Sequence, residues 1–551
     1  MRSFSAPGSR RLARTFCCPG NEHRLRRRVG AMTIEHFDVL VVGAGLSGVG
    51  AGYHLQTRCP DRSHAILEAR DSSGGTWDLF RYPGIRSDSD MYTLGFAFRP
   101  WEEAKAIADG PAILKYVRDT ASEHGIDRKI RFGHRVRRAS WSTEDARWTV
   151  EVQLARRTAS SSPPRGATQS AWVDPAQTER GEANESVLLS CNFLFMCSGY
   201  YRYAEGYTPE FAGRERYKGR IVHPQQWTDD IDYAGKRVVV IGSGATAVTL
   251  VPELAKKAAH VTMLQRSPTY VVARPSEDGL ANWLRRHLPA RLAYGITRWK
   301  QVLLGMYFFN LCRRNPARAK QLIRGGVRAW LGPDFDIDTH FTPRYNPWEQ
   351  RLCLVPDGDL FRAIRSKRVS VVTDHIESFT EKGVRLESGT ELEADLIVTA
   401  TGLRLQVLGG LELDVDGERV DMAKTLSYKG MMYSGVPNLA SSFGYTNASW
   451  TLKCDLTCEY VCRLLNHMKK RSLRQCTPRN TDPTVTEEPW VDFSSGYLQR
   501  SLHEFPKQGS KAPWKLRQNY ARDLLTLRYG KVDDGAMAFS NPASAGVAKA
   551  A

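Results

Sequence analysis

The sequence FDVLVVGAGLSG, residues 37–48, decides the fold. Six mostly apolar residues are followed at once by the glycines Gly43, Gly45 and Gly48. The apolar run predicts a strand buried in a parallel sheet, and the glycines predict a turn that opens a helix. The first glycine makes the tight bend, the second lets a pyrophosphate approach the backbone, and the third lets the helix pack on the strand. The stretch therefore predicts a dinucleotide-binding α/β fold.

An acidic residue completes this first pattern. Glu68 ends the strand-like stretch HAILE about 20 residues after the turn, where a carboxylate accepts hydrogen bonds from ribose hydroxyls. Ser47, at the start of the predicted helix, can add a hydroxyl or backbone donor to a phosphate. A glycine turn that binds no ligand is the alternative. The combination of strand, helix and acid favours an adenine dinucleotide.

A second copy of the arrangement occurs at residues 237–247, RVVVIGSGATA. Its next strand ends in Arg266 and Ser267 instead of an acid. Because these two residues can bind a 2′-phosphate that an acid would repel, this site suits NADPH. The turn itself contains Gly242, Ser243, Gly244, Ala245, Thr246 and Ala247. The two patterns together predict FAD at the first site, NADPH at the second, and an oxidoreductase that passes a hydride from nicotinamide to flavin.

Composition limits the remaining classes. The chain has 551 residues, of which 42% are hydrophobic, so it can build two or more domains with cores of their own. The net charge of +19 is concentrated. Residues 1–31 hold eight arginines and one acidic residue, and residues 279–333 hold eleven Lys and Arg and no acidic residue. Because the rest is nearly balanced, the charge does not favour nucleic-acid binding.

The expected fold class is α/β, with two dinucleotide-binding (Rossmann-like) domains for FAD and NADPH and a helical insertion. A targeting presequence is the alternative to disorder for the first residues. The predicted division is a disordered basic extension at 1–31, a first part of the FAD-binding domain at 32–205 with a mobile insertion at 155–186, an NADPH-binding domain at 206–394 with a helical insertion at about 279–340, a second part of the FAD-binding domain at 395–490, and a C-terminal segment at 491–551.

Cysteine usage and hydropathy indicate a cytoplasmic protein. The eleven cysteines show no paired framework, which is typical of a reduced compartment. Cys454, Cys458 and Cys462 are spaced along one predicted helix, and we expect buried packing residues rather than metal ligands. No apolar run reaches the roughly 18–20 residues of a membrane span. Residues 285–328 are basic and partly apolar, so they predict either a peripheral contact with anionic lipid or a solvated helical face.

A third motif carries a family resemblance. Residues 49–130 lack the redox cysteine pair of a disulfide reductase, since Cys59 stands alone there. They contain GGTWDLFRYPGIRSD at 74–88, which resembles the first signature of the Baeyer–Villiger monooxygenases, a family of class B flavoprotein monooxygenases. The positions that match are Gly74, Gly75, Trp77, Tyr82, Pro83, Gly84 and Asp88.

The family's second signature is similar to YKGRIVHPQQWTD at 217–229. Gly219, His223 and Trp227 match it, whereas Tyr217 and Thr228 depart from it. Trp227 favours the Baeyer–Villiger branch over the related N- and S-oxygenating monooxygenases. Within the family, residues from about 36 to 530 resemble the ethionamide-activating monooxygenases. We expect His223 and Trp227 to link the two domains rather than to perform chemistry.

The resemblance also implies site residues. Arg351 is the implied catalytic cation, paired with Asp88, and an ordinary ion pair between domains is the alternative. Gln350 stands where many relatives have a lysine that holds the 2′-phosphate. Asn447, Ser449 and Trp450 are expected to border the substrate pocket or to cap a helix. Implied FAD contacts are Gly75, Thr76, Trp77, Asp78, Asp88 and Val136, and implied NADPH contacts are Arg86 and Ser87.

The implied activity is an FAD- and NADPH-dependent monooxygenation with O2. A C4a-peroxyflavin would convert a small-molecule ketone to an ester or lactone, and would also oxidise the sulfur of thioethers or thioamides. One alternative is a heteroatom oxygenase. Another, of a different class, is a membrane-surface protein with a vestigial flavin site. The oligomeric state stays open.

Overall fold

The computed structural model describes residues 34–155 and 185–542. The chain divides into two units, Met1–Glu35 and His36–Ala551, and nearly all of the described residues belong to the second. The predicted extension 1–31, residues 156–184 of the predicted insertion, and residues 543–551 lie outside the described residues.

The strands of the described residues are between two and eleven residues long. They are β1 (Glu35–Val42), β2 (His64–Leu67), β3 (Ile130–Arg131), β4 (His134–Ser142), β5 (Arg147–Leu154), β6 (Ser186–Met196), β7 (Tyr201–Gly206), β8 (Arg220–Val222), β9 (Arg237–Ile241), β10 (His260–Gln265), β11 (Val271–Arg274), β12 (Cys353–Pro356), β13 (Val369–Thr373), β14 (Ile376–Phe379), β15 (Gly383–Leu386), β16 (Glu391–Glu393), β17 (Leu396–Thr399), β18 (Leu403–Leu405), β19 (Glu412–Val415), β20 (Glu418–Arg419), β21 (Ser427–Tyr428), β22 (Met432–Tyr433), β23 (Leu439–Ser441), β24 (Gln475–Pro478), β25 (Glu487–Glu488), β26 (Gln508–Gly509) and β27 (Met537–Ser540).

The α-helices of the same residues are α1 (Leu46–Arg58), α2 (Thr76–Leu79), α3 (Met91–Leu94), α4 (Gly110–Glu123), α5 (Ala245–Leu254), α6 (Gly279–His287), α7 (Ala290–Arg314), α8 (Pro316–Leu331), α9 (Ile337–Phe341), α10 (Asp359–Arg365), α11 (Trp450–Lys470), α12 (Gly496–Gln499) and α13 (Tyr520–Asp523). Leu524–Tyr529 forms a π-helical turn directly after α13.

The first large sheet has the order β20-β19-β4-β5-β6-β1-β2-β3, and β23 pairs with β6. β1 and β2 run parallel, with Val41 opposite Ile66, whereas β4, β5 and β6 form an antiparallel meander. Val39, Leu40 and Val41 of β1 are fully buried. A strand that is covered on both faces needs apolar side chains on both, which explains the unbroken apolar run.

The second sheet has the order β13-β10-β9-β17-β8, and all of its neighbouring strands run parallel. β9 leads through the second glycine turn into α5, as β1 leads into α1. Val238 and Val240 of β9 pack against Leu250 and Val251 of α5 in one buried cluster. The α/β class with two Rossmann-like sheets is therefore confirmed.

One predicted boundary differs from the structure. The division at residue 394 assigns the stretch that follows it to the second part of the FAD-binding domain. In the structure, β17 (Leu396–Thr399) lies between β8 and β9 in the second sheet. The apolar sequence LIVT fits either sheet, so strand pairing over long range decides where it belongs.

Helices α6 to α9 occupy the predicted helical insertion. α7 packs against α3, and Arg298 of α7 donates hydrogen bonds to the carbonyl oxygens of Tyr92 at 2.7 Å and Gly95 at 2.8 Å. No helix in residues 34–155 and 185–542 is long and apolar enough to cross a membrane.

Helix α11 contributes the cysteine stripe to the core. Cys454, Cys458 and Cys462 are each at most 2% exposed, as expected of packing residues. Strand β27, near the described end of the chain, pairs with β24, the strand that follows α11. Within the described ranges, no group of three or more His, Cys, Asp and Glu side chains is arranged to hold a metal ion.

Candidate active site

A cavity of about 1780 Å³ brings together residues from both glycine turns. Most of the predicted site residues line it. These are Gly43, Gly45, Ser47, Glu68, Gly75, Thr76, Trp77, Arg86, Ser87, Asp88, Val136, Gly242, Ser243, Gly244, Ala245, Thr246, Arg266, Ser267 and Arg351. The predicted residues outside the lining are Gly48, Asp78, Gly219, His223, Trp227 and Ala247.

The first turn needs its glycines for packing and for access. Gly43 has a φ of +103°, and a Cβ there would lie 2.6 Å from the carbonyl oxygen of Cys197. A Cβ on Gly48 would lie 1.8 Å from the carbonyl oxygen of Gly43. The N-terminus of α1 has no side-chain cap, so its backbone N–H groups are left for an anion. This turn fits the pyrophosphate of a dinucleotide.

Glu68 braces the same turn. Its Oε2 accepts a hydrogen bond from the Ala44 backbone N–H at 2.7 Å, and its Oε1 accepts one from Arg70 at 3.0 Å. Burial raises the pKa of Glu68, and the two backbone donors oppose that shift. A carboxylate oxygen can accept more than one hydrogen bond, so Glu68 can hold the turn and still bind a ribose hydroxyl.

The Ser47 hydroxyl has partners within the protein. Its hydroxyl accepts a hydrogen bond from the indole Nε1 of Trp450 at 2.8 Å and lies 3.3 Å from the sulfur of Cys454. The hydroxyl is therefore tied to α11. The sequence could not reveal this contact because more than 400 residues separate the partners. Of the two predicted donors of Ser47, the backbone N–H is therefore the one that stays available to a phosphate.

Asp78 also differs from its predicted role as a flavin contact. It is 1% exposed and forms ion pairs with Arg70 at 2.6 Å, Arg81 at 2.7 Å and Arg118 at 2.8 Å. Three guanidinium groups around one buried carboxylate anchor the segment that carries Thr76. Asp78 is therefore a structural residue behind the cavity wall.

The second turn shows a contrast between its two glycines. Gly242 has a φ of +135°, and a Cβ there would lie 2.3 Å from the carbonyl oxygen of Ala400. A Cβ on Gly244 would meet no described atom within 4 Å. Gly244 thus leaves open space at the uncapped N-terminus of α5, where a pyrophosphate fits. Ala247 is fully buried and packs in the core, which corrects its predicted cofactor contact.

The two arginines at this site differ in whether their charge is paired within the protein. Arg266 is exposed at the cavity and makes no hydrogen bond or ion pair within the described ranges. Arg86 instead forms a two-pronged ion pair with Asp359, with NH1 2.5 Å from Oδ2. Ser243 donates its hydroxyl to the carbonyl oxygen of Ser267 at 3.1 Å. Arg266 is therefore free to bind a phosphate, whereas the charge of Arg86 is balanced.

Arg351 lines the cavity and is held by two partners. Its Nε donates to Oδ2 of Asp88 at 2.9 Å, its second terminal nitrogen contacts the same oxygen, and NH1 donates to the carbonyl oxygen of Thr446 at 3.1 Å. Burial lowers the pKa of Arg351, but Asp88, Tyr497 and Tyr200 together raise it above its usual value. Arg351 is thus a permanent cation held in one orientation.

Aromatic residues that the motifs did not indicate surround this cation. Tyr200 stacks on Trp450 with ring centres 5.1 Å apart, and its hydroxyl lies 2.8 Å from that of Tyr201. Tyr497 comes from the C-terminal segment and also lines the cavity. Burial raises the pKa of Tyr200 and Tyr497, so both stay protonated at neutral pH. The one available signal for Tyr200 was its place four residues after the end of the buried strand β6.

The second signature lies beside the cavity. Nε2 of His223 donates to the carbonyl oxygen of Gly402 at 3.0 Å, and Nδ1 accepts from the Gln225 backbone N–H at 3.1 Å. A Cβ on Gly206 would fall 2.0 Å from the imidazole. Trp227 is buried in the second core. Gly206 ends β7, and Gly402 directly precedes β18. Because β7 and β18 pair with each other, His223 holds this strand pair in place.

Comparison with known proteins gives the family. Residues 163–293 match the family described as flavin-binding monooxygenase-like, and residues 41–109 match the NAD(P)-binding Rossmann-like domain. The chain is 54% identical over 515 residues to the FAD-containing monooxygenase EthA of Mycobacterium tuberculosis, which covers 93% of this chain and 100% of that protein. It is 49% identical over 507 residues to EthA of Mycolicibacterium smegmatis, with 92% and 97% coverage.

A solved structure agrees with these relatives. An oxidized steroid monooxygenase bound to NADP superposes with a TM-score of 0.62 and 25% identity, covering 80% of this chain and 88% of that one. The alternative of a non-enzymatic protein with a vestigial flavin site is therefore set aside. The chain belongs to the FAD-containing flavin monooxygenases of the Baeyer–Villiger type, and it is an enzyme that uses FAD and NADPH.

Proposed function

We propose that this monooxygenase inserts one oxygen atom beside the carbonyl of a ketone and also oxidises the sulfur of thioethers or thioamides. In the first reaction a ketone, O2, NADPH and a proton give an ester or lactone, water and NADP⁺. The observation that carries the proposal is the cation of Arg351, held by Asp88 at the cavity wall.

The residues at the two turns fit the two cofactors. Gly45 and Gly75 lie back to back, since a Cβ on Gly45 would fall 3.4 Å from Cα of Gly75, and both line the cavity. On the other side, Gly244 leaves open space and Arg266 offers a free cation. FAD, when bound, accepts a hydride from NADPH and supplies the reduced flavin that reacts with O2. Val136 and Thr76 line the first site, while Ser267 lines the second.

Arg351 supplies the electrostatic part of the reaction. When an oxygen nucleophile adds to a carbonyl, negative charge develops on the carbonyl oxygen, and a fixed cation lowers the energy of that transition state. A guanidinium suits this task because it stays charged throughout the pH range of the enzyme. Asp88 holds the guanidinium in place, which is a positioning role. The alternative of an ordinary ion pair predicts no effect of Arg351 on product formation.

The aromatic residues limit water at the same place. Tyr200, Trp450 and Tyr497 line the cavity next to Arg351. Their rings present apolar surface to a substrate and exclude solvent from it. A low local dielectric strengthens the interaction of Arg351 with a developing negative charge. An apolar ketone or thioether therefore fits this part of the cavity better than a charged substrate.

Product analysis with matched substrates tests the proposal. The FAD-loaded enzyme is incubated with NADPH, O2 and either a methyl alkyl ketone or the corresponding methyl alkyl sulfide. We expect ester from the ketone and sulfoxide from the sulfide, with one NADPH consumed per product. Sulfoxide without ester would leave a heteroatom oxygenase as the function. Yellow protein that NADPH bleaches under anaerobic conditions provides the control that both cofactors bind.

The location of the substrate belongs to the same proposal. We infer that residues 285–328 make a peripheral contact with a membrane, where an apolar ketone or thioether would be concentrated. Support comes from this segment's charge and from its exposed apolar residues, which include Leu303 at 57% exposure. The alternative, that this segment is a solvated helical face, predicts no lipid binding.

A further inference from the structure

Helix α7 (Ala290–Arg314) has an inverted distribution of polarity. Its buried residues include the polar Thr297, Arg298 and Gln301. Large apolar residues are exposed instead. They are Leu292, Ile296, Trp299, Leu303, Leu304 and Tyr307, each between 42% and 66% exposed. A surface helix of a globular protein normally shows the opposite arrangement, with its apolar side chains facing the core.

The exposed apolar residues form one stripe. Positions 292, 296, 299, 303 and 307 are three or four residues apart, which places them on one face of a helix. Buried positions 294, 297, 298 and 301 fall on the opposite face. On the preceding helix, Leu280 and Trp283 are each 51% exposed. We call the exposed apolar residues of α6 and α7 the docking face. Contiguous exposed apolar surface of this kind marks an interaction site.

The surroundings of the docking face are positively charged. Residues 279–333 contain eleven Lys and Arg and no acidic residue. Arg291 and Arg314 lie at the two ends of α7, are exposed, and form no ion pair within residues 34–155 and 185–542. Lys300 and Arg313, in contrast, are paired with Asp278 and Asp492. The unpaired arginines are available to an anionic partner.

We propose that the docking face binds the surface of a bilayer that contains anionic lipid. Its apolar side chains would enter the boundary between headgroups and acyl chains, and its arginines would contact lipid phosphates. A second copy of the chain would bring two positive faces together, and residues 1–31 are also basic. Charge complementarity therefore selects anionic lipid over both of these occupants.

The inner side of α7 connects the docking face to the cavity. Val302 of α7 packs in one cluster with Tyr445, and Ala448 packs against that cluster. Tyr445 and Ala448 both line the cavity. One helix thus separates the bilayer-facing surface from the active site. Lipid binding deepens the membrane contact proposed above for residues 285–328, and the link to the cavity rests on the proposed apolar substrate.

Co-sedimentation with vesicles tests the inference on the FAD-loaded, full-length enzyme. Vesicles of phosphatidylglycerol and phosphatidylcholine are compared with vesicles of phosphatidylcholine alone. We expect binding to the anionic vesicles that weakens as salt is raised. Two double variants, Leu303→Ser with Tyr307→Ser and Arg291→Glu with Arg314→Glu, should each lower the bound fraction about tenfold.

Matched controls come from other parts of the surface. Leu188→Ser removes an apolar residue that is 43% exposed on β6, and Lys470→Glu reverses an exposed charge at the end of α11. Both should bind vesicles like the wild type, and all variants should keep flavin and NADPH oxidation. Wild-type protein that stays in the supernatant, or controls that lose binding equally, would overturn the inference. So would a docking-face variant whose only change is a smaller oligomer on size exclusion, because the occupant would then be a second copy.

Discussion

Nε of Arg351 donates a hydrogen bond to Oδ2 of Asp88 at 2.9 Å, although 263 positions separate the two residues. A third segment joins them, because NH1 of Arg351 also donates to the carbonyl oxygen of Thr446. The guanidinium of Arg351, just before β12, therefore connects the segment of Asp88 with the loop before α11 that contains Thr446. Charge and position at this point can be tested separately.

Replacement of Arg351 tests the charge. Arg351→Ala should lower ester formation about 10²- to 10³-fold, the usual cost of removing one group that stabilises a developing oxyanion. Arg351→Lys keeps a charge but cannot reach Asp88 and Thr446 together, so we expect an intermediate rate. Ester is quantified by gas chromatography, and anaerobic flavin reduction by NADPH is followed by absorbance. Ester formation at the wild-type rate in Arg351→Ala would remove this residue from the mechanism.

Replacement of Asp88 tests the position. Asp88→Asn keeps the size of the side chain but removes the carboxylate that raises the pKa of Arg351. We expect about a tenfold loss of ester formation, smaller than that of Arg351→Ala, because the cation remains but is less well held. The matched control is Asp492→Asn, which breaks the exposed ion pair with Arg313. An equal loss in both variants would show a general effect of lost ion pairs.

Gly244 tests the second nucleotide site. Its φ of −77° would suit alanine, and a Cβ there meets no described atom within 4 Å. Gly244→Ala should therefore fold and keep FAD, yet raise the KM for NADPH at least about tenfold because the methyl group occupies the pyrophosphate position. The control is Gly305→Ala in α7, which also meets no atom and should leave KM unchanged. An unchanged KM in Gly244→Ala would contradict the assigned site.

Arg266 tests the preference for NADPH. A charge-assisted hydrogen bond contributes about 1.5–3 kcal/mol, so Arg266→Ala should lower kcat/KM for NADPH about 10- to 100-fold. kcat/KM for NADH should stay the same, because NADH has no 2′-phosphate. Steady-state rates with both cofactors measure the ratio. A parallel loss with NADPH and NADH would indicate that Arg266 acts on the fold rather than on the phosphate.

His223 predicts a pH dependence of stability. Burial lowers the pKa of His223, so the unfolded chain binds the proton first as the pH falls. The contribution of neutral His223 to the free energy of unfolding is complete above pH about 6.5. It is lost as the pH falls through the pKa of His223 in the folded state. Urea midpoints of wild type and His223→Gln between pH 8 and 5.5 measure this. The wild type should lose stability more steeply, and identical slopes would contradict the prediction.

The glycine turns could be predicted because their requirements are local. A positive φ at Gly43 or Gly242, and backbone oxygens within reach of any Cβ, exclude other residues. Spacing alone therefore predicted both nucleotide sites, and the residue that follows each next strand predicted which cofactor each site takes. Glu68 and Arg266 lie at the cavity in the structure, as the two patterns predicted.

The side chains of Ser47, Asp78 and Ala247 point away from the predicted ligands for a common reason. Each is placed next to the turn or motif by sequence, but its side chain is directed elsewhere by distant partners. Ser47 meets Trp450, Asp78 meets Arg118, and Ala247 enters the core of the second sheet. A motif indicates which backbone approaches a ligand, and it does not indicate which polar group a neighbouring side chain will find.

The sequence by itself determined two nucleotide-binding turns, the acid and the arginine that tell them apart, and a basic segment at residues 279–333. Those features follow from backbone sterics and from charge along the chain. Only the tertiary structure brought Arg351 to Asp88, placed Tyr497 beside them and turned the apolar stripe of α7 outward. Those arrangements depend on packing between segments hundreds of residues apart, and no local pattern encodes such contacts.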